Sequence, residues 1–246
     1  MSTGRGRPML EEMLRRAAKL AVLAEGLYRV AVATYHRMVD AGMFTNEERV
    51  DLVDGVLISR SRDDLFRIPV DMYHRMIDAE ILTEEDTCEL IEGVLVDVSP
   101  QSREHAIALR RLSSVLIRAL TGELSVRVQM PLSLVRSEPE PDLAVVPLRA
   151  ENEAPRHPRT AELVVEVAKT TLRRDRGMVG VYAEAGVREY WIVDGIRRRV
   201  EVFRSLVDGA YGDPDIVDEH ATLHPLAFPD VAISVATLFA PPAPEP

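Results

Sequence analysis

The sequence predicts an α/β or α+β fold, one mixed sheet with helices on its faces. Three observations lead there. Runs dominated by Val and Leu recur at 124–128, 131–135, 142–146 and 163–167, a composition suited to half-buried or buried strands. Segments with apolar residues at three- and four-residue spacing lie between or before them. Gly and Pro punctuate the joints.

Taken in order, 9–28 reads as a helix, with Leu14, Ala17, Ala18, Ala21, Leu23 and Leu27 at helical spacing. An internal repeat follows. Tyr35-His36-Arg37-Met38-Val39-Asp40-Ala41 returns as Tyr73-His74-Arg75-Met76-Ile77-Asp78-Ala79, and Asp51-Leu52-Val53-Asp54-Gly55 returns at the same offset as Glu89-Leu90-Ile91-Glu92-Gly93. Each unit reads as a short helix, an acidic turn and a tight hairpin. Two copies fall short of a solenoid. The stretch 102–120 is amphipathic and helical, carrying Ile107, Leu112, Val115, Leu116 and Leu120 on one side, with Gly122 as its stop. The four strand runs come next, and 147–160 reads as a loop. A helix is expected over 171–185, capped by Thr170 or Thr171 and stopped at Gly186. The segments 189–194 and 199–203 form a hairpin across Gly195, and 240–246 is a Pro-rich, frayed tail. The expected domains are 1–65 (N-terminal helix plus the extra repeat copy), 66–240 (the main domain) and 241–246 (the tail).

The formal net charge is −10 at pH 7, which argues against a protein that coats nucleic acid nonspecifically, although a small local basic patch is compatible with it. No run approaches the ~20 apolar residues of a membrane helix, and 1–16 is polar and basic without the apolar core of a secretory signal, so a cytoplasmic location without membrane contact is expected. Cys88 is the only cysteine, which excludes an intrachain disulfide or a thiolate metal cluster. Lys19 and Lys169 are the only lysines; every other basic side chain is Arg.

Asp142 opens Leu143-Ala144-Val145-Val146, and Glu166 interrupts Leu163-Val164-Val165 and Val167. A carboxylate in an apolar strand is costly unless it pairs or binds a cation. Two such acids brought together repel, unless a divalent ion neutralises them. Mg²⁺ favours this kind of site: one or two carboxylates, with waters and substrate phosphate completing its shell. The same placement also suits acids that face solvent or pair with an arginine. His220 and His224 have the spacing of helical metal ligands, but Pro225 and the lack of a helical pattern make them loop histidines. Arg173-Arg174 and Arg197-Arg198-Arg199 could meet phosphates, or form a solvated face. There is no Gly-x-Ser-x-Gly element for a serine hydrolase.

An ordered set of motifs adds to this. Glu89-Leu90-Ile91-Glu92-Gly93, Ser99-Pro100, His105, Pro139-Glu140-Pro141-Asp142-Leu143-Ala144-Val145-Val146, Val165-Glu166-Val167-Ala168, Asp175-Arg176, Tyr182-Ala183 and Ala185-Gly186-Val187-Arg188-Glu189-Tyr190-Trp191-Ile192-Val193-Asp194 succeed one another. From about Ile68 onward the chain resembles the Uma-type restriction endonuclease family of the PD-(D/E)XK nuclease superfamily. The resemblance implies a restriction-endonuclease-like mixed sheet flanked by helices. It also implies Mg²⁺- or Mn²⁺-dependent hydrolysis of DNA phosphodiester bonds. Asp142 and Glu166 match the metal-binding acids, while Glu89 and His105 match further acid and histidine positions near the site.

One position departs from the pattern. The lysine that usually lies two residues after the acid in that superfamily, on the same strand face, is Ala168 here, and the following helix, where the resembled family often places it instead, is lysine-free over 171–185. Lys169 is the nearest substitute, three residues after Glu166, where a regular strand turns it to the opposite face. Arg176 could supply charge but not act as a base. Two readings stay open: an endonuclease in which Lys169 or Arg176 substitutes for the lysine, or a non-catalytic nuclease-fold module that binds DNA or protein and self-associates as a homodimer through the duplicated unit.

Overall fold

In a computed structural model of the protein, residues 26–45, 47–62, 64–98, 101–120, 122–169 and 171–239 are described. The helix expected over 9–28, the Pro-rich tail and the Ser99-Pro100 motif fall mainly or wholly outside them. The chain divides into two compact units, one comprising Met1–Ser99 with Arg136–Glu138, the other Pro100–Val135 with Pro139–Pro246.

The N-terminal unit is built from two similar segments. The first holds α1 (Val32–Asp40), β1 (Val50–Val53), β2 (Val56–Ser59) and the short β3 (Asp64–Leu65); the second holds α2 (Val70–Asp78), β4 (Cys88–Ile91) and β5 (Val94–Asp97). Both hairpins turn on two successive left-handed residues, Asp54-Gly55 (φ 48°, 74°) and Glu92-Gly93 (φ 50°, 76°). That is the geometry whose twist matches antiparallel strands. At Gly93 a Cβ would stand 3.1 Å from the Arg67 Cβ, so the close approach as well as the φ favours glycine. Contacts recur at the repeat offset. Val30 N–H donates to Gly55 O (2.9 Å) as Ile68 N–H does to Gly93 O (2.8 Å). Arg29 donates to Asp54 O (2.8 Å) as Arg67 does to Glu92 O (2.9 Å). The acidic turns are closed alike, Thr45 N–H and hydroxyl on Glu48 and Thr83 N–H and hydroxyl on Asp86. One core serves both segments, with Met38, Leu57, Phe66, Met72, Met76 and Leu90 among its members.

The C-terminal unit carries a six-stranded sheet. In chain order it runs α3 (Arg103–Ala119), β6 (Leu124–Val128), β7 (Leu143–Pro147), α4 (Leu148–Glu153), β8 (Leu163–Ala168), α5 (Leu172–Gly177), α6 (Val179–Glu184), β9 (Tyr190–Asp194), β10 (Arg199–Phe203), β11 (Asp215–Asp218), β12 (Thr222–Leu223), β13 (Ile233–Ser234) and α7 (Val235–Phe239). The sheet order is β11-β10-β9-β8-β7-β6; β8 and β9 are parallel and every other pair is antiparallel, so the sheet is mixed as expected. The parallel pair needs a crossover, which α5 and α6 supply. Side-chain alternation divides the core. Val165, Val167, Trp191 and Val193 pack with Leu109, Leu112 and Leu116 of α3, whereas Tyr190 turns to the other face, its ring 4.8 Å from Tyr182 of α6.

Three expectations are corrected. The run 131–135 is not a strand: Pro131 has no N–H to give a ladder, Gln129 just before it is left-handed (φ 51°), and Leu132 and Ser133 N–H donate instead to Pro139 O and Pro158 O. The loop 147–160 contains α4. The helix 171–185 is interrupted at Met178 (φ −73°, ψ −11°), whose N–H is shared between Arg174 O and Asp175 O. Gly177 and Gly180 flank this break and lower the cost of leaving regular geometry. Thr171 holds the N-cap position but caps no amide; its hydroxyl donates to Asp175 Oδ2 at 2.7 Å.

Candidate active site

The register of β7 and β8 decides where the two strand acids lie. Leu143 pairs with Val165, Ala144 with Val164 and Val145 with Leu163. One step further, Asp142 falls opposite Glu166. Residues directly opposite on an antiparallel pair share a face with Cβ atoms ~4.5–5.5 Å apart. The side chains bear this out by closing the ladder's end themselves. Asp142 N–H donates to Glu166 Oε2 (3.2 Å), and Val167 N–H donates to Asp142 Oδ2 (2.7 Å). The pair therefore sits at a sheet end, on central strands.

Helices from both faces complete the cluster. Ser102 caps α3 by accepting the His105 N–H (3.2 Å). That fixes the first turn so that His105 Nε2 meets Asp142 Oδ1 at 2.8 Å. From α6 the Tyr182 hydroxyl donates to Glu166 Oε1 (2.9 Å). Asp175 of α5, buried beneath them, is bonded by Thr171, and its backbone carbonyl accepts from the Tyr190 hydroxyl (2.8 Å). Three acids thus crowd one region. Burial first, then the charges of Asp142 and Asp175, hold the Glu166 carboxyl well above its ordinary range. Burial likewise pushes Asp175 up to about 7, with the Asp142 charge adding and the Thr171 hydroxyl opposing. His105 is raised, chiefly by its bond to Asp142.

The sequence candidates are placed as follows. Asp142, Glu166 and His105 come together. Lys169 does not reach the acids: it lies just past the end of β8, its ammonium on Glu104 at 2.8 Å. This is the geometry strand alternation predicts. Arg176 is committed elsewhere, forming a two-pronged bond to buried Glu201 (2.8 and 2.6 Å). Glu89 belongs to the N-terminal unit, where it is buried on β4 opposite Val96. His220 lies in a turn and His224 in a loop, bonded to Pro229 O. Arg197, Arg198 and Arg199 all form ion pairs with nearby acids. Asp175 and Tyr182 join the site although residue type and spacing alone gave them no role.

Among the described residues no three His, Cys, Asp or Glu side chains converge as a ready-made metal cage. The donor set nonetheless suits a hard cation held by two carboxylates, with waters and substrate oxygens completing its shell. A carboxylate offers about four acceptor sites, and Asp142 and Glu166 each spend two on the bonds above, which fix their orientation and leave lone pairs over.

A mixed sheet with helices on both faces, and opposed acids at the end of an antiparallel pair, places the molecule among nuclease-fold α/β proteins. The chain belongs to the Uma2 family, whose model, described as "putative restriction endonuclease", matches residues 70–236. A crystal structure of a protein from Anabaena variabilis, described as a "putative nuclease belonging to DUF820", shares the fold with a TM-score of 0.56. Its identity to this chain is 16%, over 70% of this chain and 97% of that one. Comparison with curated proteins finds no match. Among the described residues no helix is long and apolar enough to cross a membrane.

Proposed function

We propose that the protein is a Mg²⁺- or Mn²⁺-dependent endonuclease that hydrolyses DNA phosphodiester bonds, with Asp142 and Glu166 as the metal-holding pair. The observation that carries this reading is the Asp142–Glu166 opposition at the end of β7 and β8, in a family whose model is described as "putative restriction endonuclease". When bound there, a divalent ion supplies charge neutralisation and a lowered water pKa. The chain's own residues do the rest. His105 and the Val167 amide hold the Asp142 carboxylate from two sides, and Tyr182 holds Glu166. Such second contacts orient ligands and tune their basicity. Lys169 places positive charge beside His105 at the mouth of the site, where it meets a phosphate rather than deprotonating a water.

A second reading has its own support. Ala168 occupies the usual lysine position, while Lys169 and Arg176 are tied to Glu104 and Glu201. That pattern suits a DNA-binding module with little or no cleavage. Incubation of supercoiled and single-stranded DNA with Mg²⁺ or Mn²⁺ separates the two. Cleavage is expected, abolished by chelator and reduced at least about a hundredfold by Asp142→Ala, in keeping with the removal of one preorganised electrostatic group. Absence of cleavage with both ions, together with no ion binding by calorimetry, overturns the enzymatic reading.

A further inference from the structure

We infer that the cleft beside His105 receives one unpaired nucleotide of the substrate strand. This rests on the reading of the acid pair as the scissile site and adds to it the state of the strand that enters. The cleft has a volume of about 380 Å³ and lies between the first turns of α3, the end of β8, the β9–β10 turn and α7. That is the lower end of the range for small-molecule sites, roughly 300–1,000 Å³. It adjoins the acid pair through two of its lining residues. His105, which lines it, bonds Asp142 Oδ1, and Val167, which also lines it, gives its amide to Asp142 Oδ2.

The lining departs from the rest of the molecule in charge. In a chain of net charge −10, Arg103, Arg111, Lys169 and Arg198 line the cleft with one acid, Glu104, while Arg198 is also paired with Glu219 outside the lining, so Arg103 and Arg111 carry the excess positive charge. Glu104 is already paired, its carboxyl held down at about 2 by the Lys169 ammonium. A local basic rim on an acidic protein is what a polyanion would read. The floor is apolar, from Ile107 and Ala108 on α3 to Leu238 and Phe239 on α7. At that end the Arg198 guanidinium lies 5.2 Å from the centre of the Phe239 ring. Aromatic rings and guanidinium planes are the surfaces on which nucleobases stack. Stacking needs the face of a base. A base pair within a duplex offers only its edges in the grooves, whereas an unpaired or extruded base offers its face. Phosphate-binding rim and stacking floor together therefore select a strand that is single, frayed or flipped at this position.

The test measures binding without divalent ions, so that it is independent of cleavage. Fluorescence anisotropy of a labelled oligothymidylate and of a duplex of equal length is followed in chelator, on the full chain. The single strand is expected to bind more tightly. Phe239→Ala should weaken it about tenfold and leave the duplex unchanged; Phe239→Trp, which keeps an aromatic face, should retain it. Because Phe239 also touches the core, Arg111→Gln is measured alongside, with thermal melting as the check on folding, and should weaken single-strand binding and its salt dependence. Equal affinity for both probes, or folded Phe239→Ala and Arg111→Gln variants that bind like the parent, overturns the inference. A parent that keeps the single-strand preference in chelator but cleaves neither DNA with Mg²⁺ or Mn²⁺ leaves the cleft as a binding site for an unpaired nucleotide while removing the nuclease reading.

Discussion

Asp175 shows most directly how burial at this site turns into a measurable property. Burial pushes its carboxyl up to about 7 in the folded chain, against about 3.9 in an unfolded one. Between those values the folded state keeps a proton that the unfolded state has released, so the contribution of Asp175 to stability is fullest below about pH 4 and is lost as pH rises toward 7. At about 1.4 kcal/mol per pH unit, the loss is at most on the order of 4 kcal/mol. Asp175→Asn is therefore expected to raise the melting temperature relative to the parent at pH 8 in chelator, with the gap closing by pH 4. Melting curves at the two pH values check it, and a gap that is constant or larger at pH 4 sinks it. Legibility in the sequence followed the same physics. Asp142 and Glu166 stood out because a carboxylate amid Val and Leu demands a partner, and strand alternation correctly sent Lys169 away from Glu166. Asp175 and Tyr182 lie on short helices where a polar or aromatic residue breaks no pattern, and only the tertiary packing brings them to Glu166.

The crossover helices show what element-scale reading gains and misses. Helical periodicity marked 171–185, and Gly186 (φ 73°) ends it as expected. The break at Met178 was less visible, since it needs a shared hydrogen bond that periodicity does not report. Gly180 in α6 has a helical place and ordinary φ, and a Cβ there would meet nothing within 4 Å beyond its chain neighbours and its own helix backbone. Gly180→Ala is expected to stabilise the C-terminal unit by roughly 0.5–1 kcal/mol, by removing backbone freedom from the unfolded chain. Chemical denaturation read at Trp191 measures it, and destabilisation would mean that the break at Met178 requires the glycine. The run 131–135 departs from the strand its composition suits for a complementary reason. Its composition suits a strand, but the proline at its start and the left-handed Gln129 before it redirect the amides to other loops. The hairpins were legible throughout, because Asp-Gly and Glu-Gly supply the paired left-handed residues that two-residue turns demand.

At the scale of the molecule, the duplication and the nuclease-like sheet are served by different cores. Met38 and Met76, equivalent residues of the two repeat copies and both fully buried, share one core with Leu57 and Leu90, whereas Trp191, Val165 and Leu112 belong to another. The first repeat copy is thus an integral part of the N-terminal unit's packing. Truncating Met38 leaves a cavity in that shared core, at an expected cost of about 2–5 kcal/mol. Since opening free energies differ between cooperative parts of a protein, the loss should be local. In Met38→Ala, amide hydrogen exchange is expected to accelerate in β1, β2 and α2, which draw on the damaged core, while β8 and β9 keep the parent's protection. Unchanged exchange in α2 would mean that the second copy holds its structure without the first. An equal rise in β8 and β9 would mean that the sheet bearing Asp142 and Glu166 depends on the duplicated segments for its stability, and the first copy would then belong to the support of the candidate active site.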